Sequence, residues 1–147
     1  MRAAVGLTMS LLKLRIGVAI AASALAGIAV ASGPALAWWQ VTGLAIAILG
    51  ASGAAGAFNH YYERDVDRLM RRTRLRPFAS GTFRPSPWWP VGFLGLLAAS
   101  LGLAAVTAGN VAAAYVFLGA FTYGIVYTVW LKRRSTWNIV VGGLAGS

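Results

Sequence analysis

The chain has no cysteine, and only three of its 147 residues are acidic. The first absence excludes a disulfide framework, a cysteine-ligated zinc or iron–sulfur centre and a cysteine nucleophile. The second leaves Glu63, Asp65 and Asp67, all within five positions, as the whole supply of carboxylate side chains. Charge of either sign is scarce, at 11% of residues against 59% hydrophobic, a balance outside that of ordinary soluble domains. This is the composition of a membrane protein. The formal net charge of +10 would suit a nucleic-acid partner only if the basic groups lined a soluble face. They lie instead between apolar runs, so no nucleic acid is expected and the bilayer is the natural partner.

A helix crosses the hydrocarbon core with roughly 20 apolar residues. Four uncharged runs meet that length: about Leu14 to Ser32, Leu36 to Phe58, Trp88 to Ala108, and Val111 to Leu131. A fifth begins at Ile139 in "NIVVGGLAGS" and stops well short of a crossing. The fold expected is an all-α transmembrane helix bundle, one domain over residues 1–147, with four complete helices and the start of a fifth. A cleaved signal peptide is the competing reading of the first run. Lys13 and Arg15 sit late for its basic region, and the apolar stretch is longer than usual.

Arg2 and Lys13 precede the first run and Arg15 stands at its start, where it can snorkel; Arg64 to Arg84 separate the second from the third, and Lys132, Arg133 and Arg134 follow the fourth. The two remaining connections carry no charge, so all basic groups fall on one side, which the positive-inside rule makes cytoplasmic, together with the N-terminus. Trp38, Trp39, Trp88, Trp89 and Trp130 stand near span ends, where interfacial aromatics belong. Gly43, Gly50, Gly53 and Gly56 suit close approach of neighbouring helices, and equally fit a plain Gly/Ala bias.

The segment "FNHYYERDVDRLMRRTRLRP", residues 58–77, carries every acid in the chain. If the second helix continues past Phe58, Asn59, Glu63 and Asp67 follow at i, i+4 and i+8 and share one face. Two carboxylates are the number that commonly hold Mg²⁺ when substrate phosphates and water complete its shell. Arg64, Arg68, Arg72 and Arg76 recur every four positions up to Pro77, and arginine forks match phosphate oxygens. Asp65 points elsewhere on such a helix, as a second ligand only if the backbone unwinds. The competing reading is an i,i+4 ion-pair network at the membrane surface, with Glu63 and Asp67 paired to Arg71 or Arg68. His60, the only histidine, is read as solvated or hydrogen-bonded in preference to a heme or metal ligand, and Tyr61 and Tyr62 as interfacial aromatics.

Residues 59–81, "NHYYERDVDRLMRRTRLRPFASG", resemble the first aspartate-rich motif of the UbiA-type intramembrane prenyltransferases. Within that family they look most like the branch that farnesylates protoheme IX, and "YTVWLKRRSTWNIVVGGLAGS", residues 127–147, is similar to the segment joining the fourth and fifth helices of the same branch. The resemblance implies a bundle of about nine transmembrane helices with a cavity near the cytoplasmic side of a bacterial inner membrane. It further implies transfer of the farnesyl group of farnesyl diphosphate to a vinyl group of protoheme IX, giving heme O on the route to heme A, with contact to a heme A synthase or terminal oxidase assembly. Mg²⁺ would be the cofactor. Carried over, Asn59, Glu63 and Asp67 are the catalytic face, with Glu63, Asp67 and Asp65 towards the metal. Arg64, Arg72, Arg76, Lys132 and Arg133 are the candidates for diphosphate or heme propionate. Glu63 departs from the aspartate usual in the family. A second aspartate-rich motif beyond the sixth helix is absent from these residues, which leads to the expectation of an N-terminal portion, inactive alone. Prenylation of a quinone precursor or other ring acceptor, and a noncatalytic bundle whose basic loop binds anionic lipid, are the alternatives.

Overall fold

The structure is a computed structural model that describes residues 14–32, 35–132, Arg134 and Val140. The expected fifth helix and the candidate Arg133 lie outside the described residues. Helix α1 covers Leu14–Val30, α2 Trp38–Tyr62, α3 Arg64–Leu69, α4 Trp88–Ala108 and α5 Asn110–Phe121. Helix α5 runs on without a break into a π-helical segment, Thr122–Leu131. No strand occurs among the described residues.

Three helices are long and apolar enough to cross a membrane: α2 with 25 residues, α4 with 21, and the continuous Asn110–Leu131 rod with 22. At 1.5 Å per residue each reaches or exceeds ~30 Å, the thickness of the hydrocarbon core. The α4 span coincides with the expected one. Helix α1 is the exception, helical over 17 residues and shorter than the Leu14–Ser32 run. Its backbone leaves the helix at Ala31, just ahead of the sequence pair Gly33-Pro34, which cannot continue one. The bundle is thus three long apolar helices and a shorter one.

Helix α2 is the centre, touching α1, α4, α5 and the π-helical segment. It can hold that place because its small residues admit other backbones. A Cβ on Gly43 would stand 2.4 Å from Thr107 Cγ2, and one on Gly50 would stand 2.3 Å from Ser100 Oγ. The hydroxyls there are already spent within α4, Thr107 on the carbonyl of Leu103 and Ser100 on that of Leu96, both at 2.8 Å. Polar atoms therefore enter the interface without unmet hydrogen bonds. Around this seam Ala21, Leu44, Ala47, Ile48 and Ala104 form the main core.

At the uncharged end, Gln40 Oε1 accepts from the Ala37 N–H at 2.9 Å, and Gln40 Nε2 donates to the Thr107 carbonyl at 3.0 Å. One side chain thus satisfies an orphan donor at the start of α2 and ties that start to the end of α4. The chain reverses from α4 to α5 at the single residue Gly109, whose φ of 89° only glycine adopts without strain.

At the opposite end, residues 70–87 form a chain of turns instead of a helix. Phe78 is fully buried, with its ring edge-on to Tyr61, Phe83 and Trp89 at centroid distances of 5.2 to 5.8 Å. Phe93 of α4 completes this second core with Ala57 of α2. Apolar side chains such as Val91, Leu94, Val106 and Leu118 face outward, as lipid contact requires.

Two consequences can be measured by thermal unfolding in detergent. Gly50→Val, which drives a branched side chain into Ser100, is expected to cost about 1–3 kcal/mol. Gly95→Val, whose Cβ meets nothing within 4 Å, should stay within about 0.5 kcal/mol of the parent. Phe78→Ala is expected to cost about 3–5 kcal/mol. Amide exchange should rise at Ser80 and Phe83, whose N–H groups bond the carbonyls of Arg76 and Pro77.

Candidate functional site

Helix α2 ends at Tyr62, and Glu63, at φ −93° and ψ 4°, joins it to α3. The hydrogen bonds nevertheless pass straight through, Glu63 N–H to Asn59 O at 3.0 Å and Asp67 N–H to Glu63 O at 2.8 Å. Asn59, Glu63 and Asp67 thus lie at successive i+4 positions as expected from their spacing, and all three are at least 97% buried.

The helix does not continue to Pro77. It stops at Leu69, and Met70 is extended, so Arg72 and Arg76 belong to turns and not to an arginine stripe beside the acids. The reason is apolar. Beyond Met70 a straight helix would carry only arginines, a threonine and a leucine into water, whereas turning back buries Pro77 and Phe78. That reversal carries Arg76 onto Asp67, with Nη1 donating to Oδ1 at 3.0 Å and Oδ2 at 2.8 Å. Thr73, also buried, donates its hydroxyl to the Asp67 carbonyl at 3.1 Å.

Glu63 finds its counter-ion 69 positions away. Lys132 Nζ, at the end of the π-helical segment, makes an ion pair with Glu63 Oε2. The same oxygen accepts from Asn59 Nδ2 at 3.0 Å, and Asn59 Nδ2 also donates to Thr128 Oγ1 at 3.2 Å. The Thr128 hydroxyl in turn donates to the Tyr123 carbonyl at 2.8 Å. The two buried carboxylates are therefore paired to partly buried cations 9 and 69 positions away, and the competing i,i+4 pairing with Arg71 or Arg68 does not form. Arg68 Nε donates to the Ala79 carbonyl at 3.1 Å, and Arg71 is exposed. A carboxylate in an apolar interior has to be paired, and each of these two has one cation.

The other candidates are placed less centrally. Arg64 donates to the Tyr61 carbonyl at 2.8 Å and lies over its ring, 4.8 Å from the centroid. Arg72 and Asp65 are exposed, and Asp65 is not part of the buried cluster. His60 is 98% buried, so the solvated reading of it does not hold. Tyr61 is more than an interfacial aromatic, since its hydroxyl donates to the Ser86 carbonyl at 3.2 Å while its ring packs on Phe78 and Phe93. Phe78 is not marked by any local signal, Thr73 only by its place in the motif, and Thr128 only weakly. For Thr128 the available signal was a hydroxyl inside an apolar span, one helical turn before Lys132.

Among the described residues no three His, Asp or Glu side chains come together as a metal cage. Two buried carboxylates and a neighbouring amide are a hard-oxygen donor set, sufficient for Mg²⁺ when phosphate oxygens complete its shell. The donor set fits such an ion bound together with a diphosphate, and does not fit one held by protein alone.

The chain is 56% identical over 138 residues to protoheme IX farnesyltransferase 2 of Paramagnetospirillum magneticum, covering 94% of this chain and 48% of that relative. Protoheme IX farnesyltransferase 1 of the same organism is 45% identical over 104 residues, 71% of this chain and 36% of its own length. The protoheme IX farnesyltransferase of Pyrobaculum neutrophilum is 44% identical over 110 residues, 75% and 39% of the two chains. The chain spans about half the length, or less, of these curated relatives. No solved structure matches it. The model of the UbiA prenyltransferase family matches residues 20–147, nearly the whole chain, and the protein belongs to that family.

Proposed function

We propose that this chain supplies the diphosphate-binding part of a protoheme IX farnesyltransferase, which joins the farnesyl group of farnesyl diphosphate to the terminal carbon of a vinyl group of protoheme IX, releases diphosphate, and adds the hydroxyl of one water to the other vinyl carbon with loss of the water's second proton. The observation that carries this reading is the buried Asn59–Glu63–Asp67 stack, closed by Lys132 and Arg76. The 56% identity to a protein of that name supports the choice of acceptor within the family. The charged end, where Arg64 to Arg84 and Lys132 gather, is assigned to the cytoplasmic side of a bacterial inner membrane.

The chemistry follows from charge. Glu63 and Asp67 with Lys132 and Arg76 form a neutral set, so a diphosphate gains little from it without added positive charge. Mg²⁺, held by Glu63 and Asp67 when bound, would neutralise the departing diphosphate. Asn59 fixes the Glu63 carboxylate by donating to Oε2. Lys132 and Arg76 are the cations that turn from carboxylate to phosphate oxygens once the acids are occupied, and Arg64 and Arg72 add positive field at the rim. The apolar bundle keeps water from the allylic cation until the vinyl group has attacked, and one water then adds to the cation left on the vinyl carbon. Contact with a heme A synthase or oxidase assembly would deliver the product onward.

In detergent, binding of farnesyl diphosphate to the purified chain should require Mg²⁺. Glu63→Ala or Asp67→Ala should weaken it at least about tenfold, the worth of one charge-assisted contact, while the charge-preserving Arg74→Lys leaves it nearly unchanged. Normal Mg²⁺-dependent binding in both carboxylate variants would remove the site assignment.

The acceptor is tested separately. A chimera in which this chain replaces the matching part of the 56% identical relative should make heme O, read by mass spectrometry. It should leave a quinone precursor unmodified, and the reverse result would move the protein to another branch of the family.

A further inference from the structure

The π-helical segment sets a register that the proposed site uses. Elsewhere in the bundle a threonine spends its hydroxyl proton on the carbonyl four residues before it, Thr42 on Trp38 and Thr107 on Leu103, each at 2.8 Å. Thr128 reaches five residues back, to Tyr123, and the Lys132 N–H likewise bonds the Tyr127 carbonyl five residues back at 3.0 Å. This is the i→i+5 pattern of a π-helix, which is rare over ten residues and often marks a functional site.

Direction follows from proton count. A threonine hydroxyl has one proton, and that of Thr128 is committed to the Tyr123 carbonyl. Oγ1 can then only accept, so the amide facing it has to present nitrogen. Asn59 does so, and its second N–H goes to Glu63 Oε2. Both protons of the amide are thereby assigned. Thr128 is fully buried, so no water replaces it as the partner.

We propose that Thr128 is a positioning residue which, through the π-helical register, locks the Asn59 amide with its nitrogen toward Thr128 and Glu63 and so holds the Glu63 carboxylate of the diphosphate site in place. The effect on ligand binding rests on the proposed function; the locking of the amide does not. The Thr128 hydroxyl accepts from Asn59 Nδ2 and donates to the Tyr123 carbonyl. It acts through Asn59, and through Asn59 on Glu63.

Two measurements separate these parts. The chain contains three asparagines, so ¹⁵N-asparagine labelling gives a simple side-chain amide spectrum in which Asn59→Ala identifies the Asn59 signals. Both Asn59 side-chain protons should be protected from exchange in the parent and in Thr128→Ser. Thr128→Val, of nearly the same shape, should lose protection of one, and an unchanged Asn59 signal would overturn the proposal. Thr128→Ala gives the same reading should valine disturb the fold. With farnesyl diphosphate and Mg²⁺ as the probe, Thr128→Val should bind about tenfold more weakly, the worth of one hydrogen bond, and Thr128→Ser close to the parent. Added to Asn59→Ala, Thr128→Val should have no further effect, whereas the same tenfold loss in that background would show action independent of Asn59 and overturn the proposal. If the parent itself binds no diphosphate, the proposed function falls, and the amide spectrum still decides the role of Thr128.

Discussion

Keeping two carboxylates inside an apolar bundle is the constraint on which the charged end of this protein depends. A buried anion without a partner costs more than most single contacts return, so Glu63 and Asp67 each require a cation brought to them. The two requirements are met from different directions. Arg76 arrives because residues 70–77 double back, and Lys132 arrives because the last long helix descends beside α2. The aromatic cluster around Phe78 holds the first of these in place. The site and the loop fold are therefore one structure, and the aromatic core beneath the loop is part of what holds Arg76 against Asp67.

The membrane-spanning part answers a different problem. In lipid there is little hydrophobic drive to bring helices together, so close contact and satisfied polar groups have to do it. Gly43 and Gly50 give α4 a surface without side chains to lie on, and the serine and threonine that fill those hollows bond within their own helix. Among the described residues, Gln40 is the side chain at the uncharged end that bonds across helices. Side-chain hydrogen bonds from one long helix to another are thus, among the described residues, confined to the two ends of the bundle.

The spans were legible because membrane thickness is a one-dimensional constraint that run length alone satisfies, and α4 begins and ends where its run does. The stacking of Asn59, Glu63 and Asp67 was legible too, since i+4 spacing survives the irregular residue at Glu63. The arginine periodicity misled, because spacing that fits a helix does not make one where there is no apolar face left to bury. The pairs were beyond reach for a plainer reason. No local pattern encodes a contact between residues 69 apart, or the i→i+5 register that aligns Thr128 with Asn59. Helix α1 was overestimated because an uncharged run counts Ala31 and Ser32 without weighing the glycine and proline that follow.

The clamp at Gln40 has a mechanical side. With α2 and α4 fastened at the uncharged end and touching along glycine hollows toward their middle, the two helices have little freedom to slide, and what remains is a small angular opening about the fastened end. Such a motion grows with distance from its pivot. A rotation of a few degrees that scarcely disturbs Gln40 and Thr107 would therefore be amplified about six turns of backbone away, at the carboxylates, where the packing of Phe93 on Ala57 and Tyr61 is what opposes it.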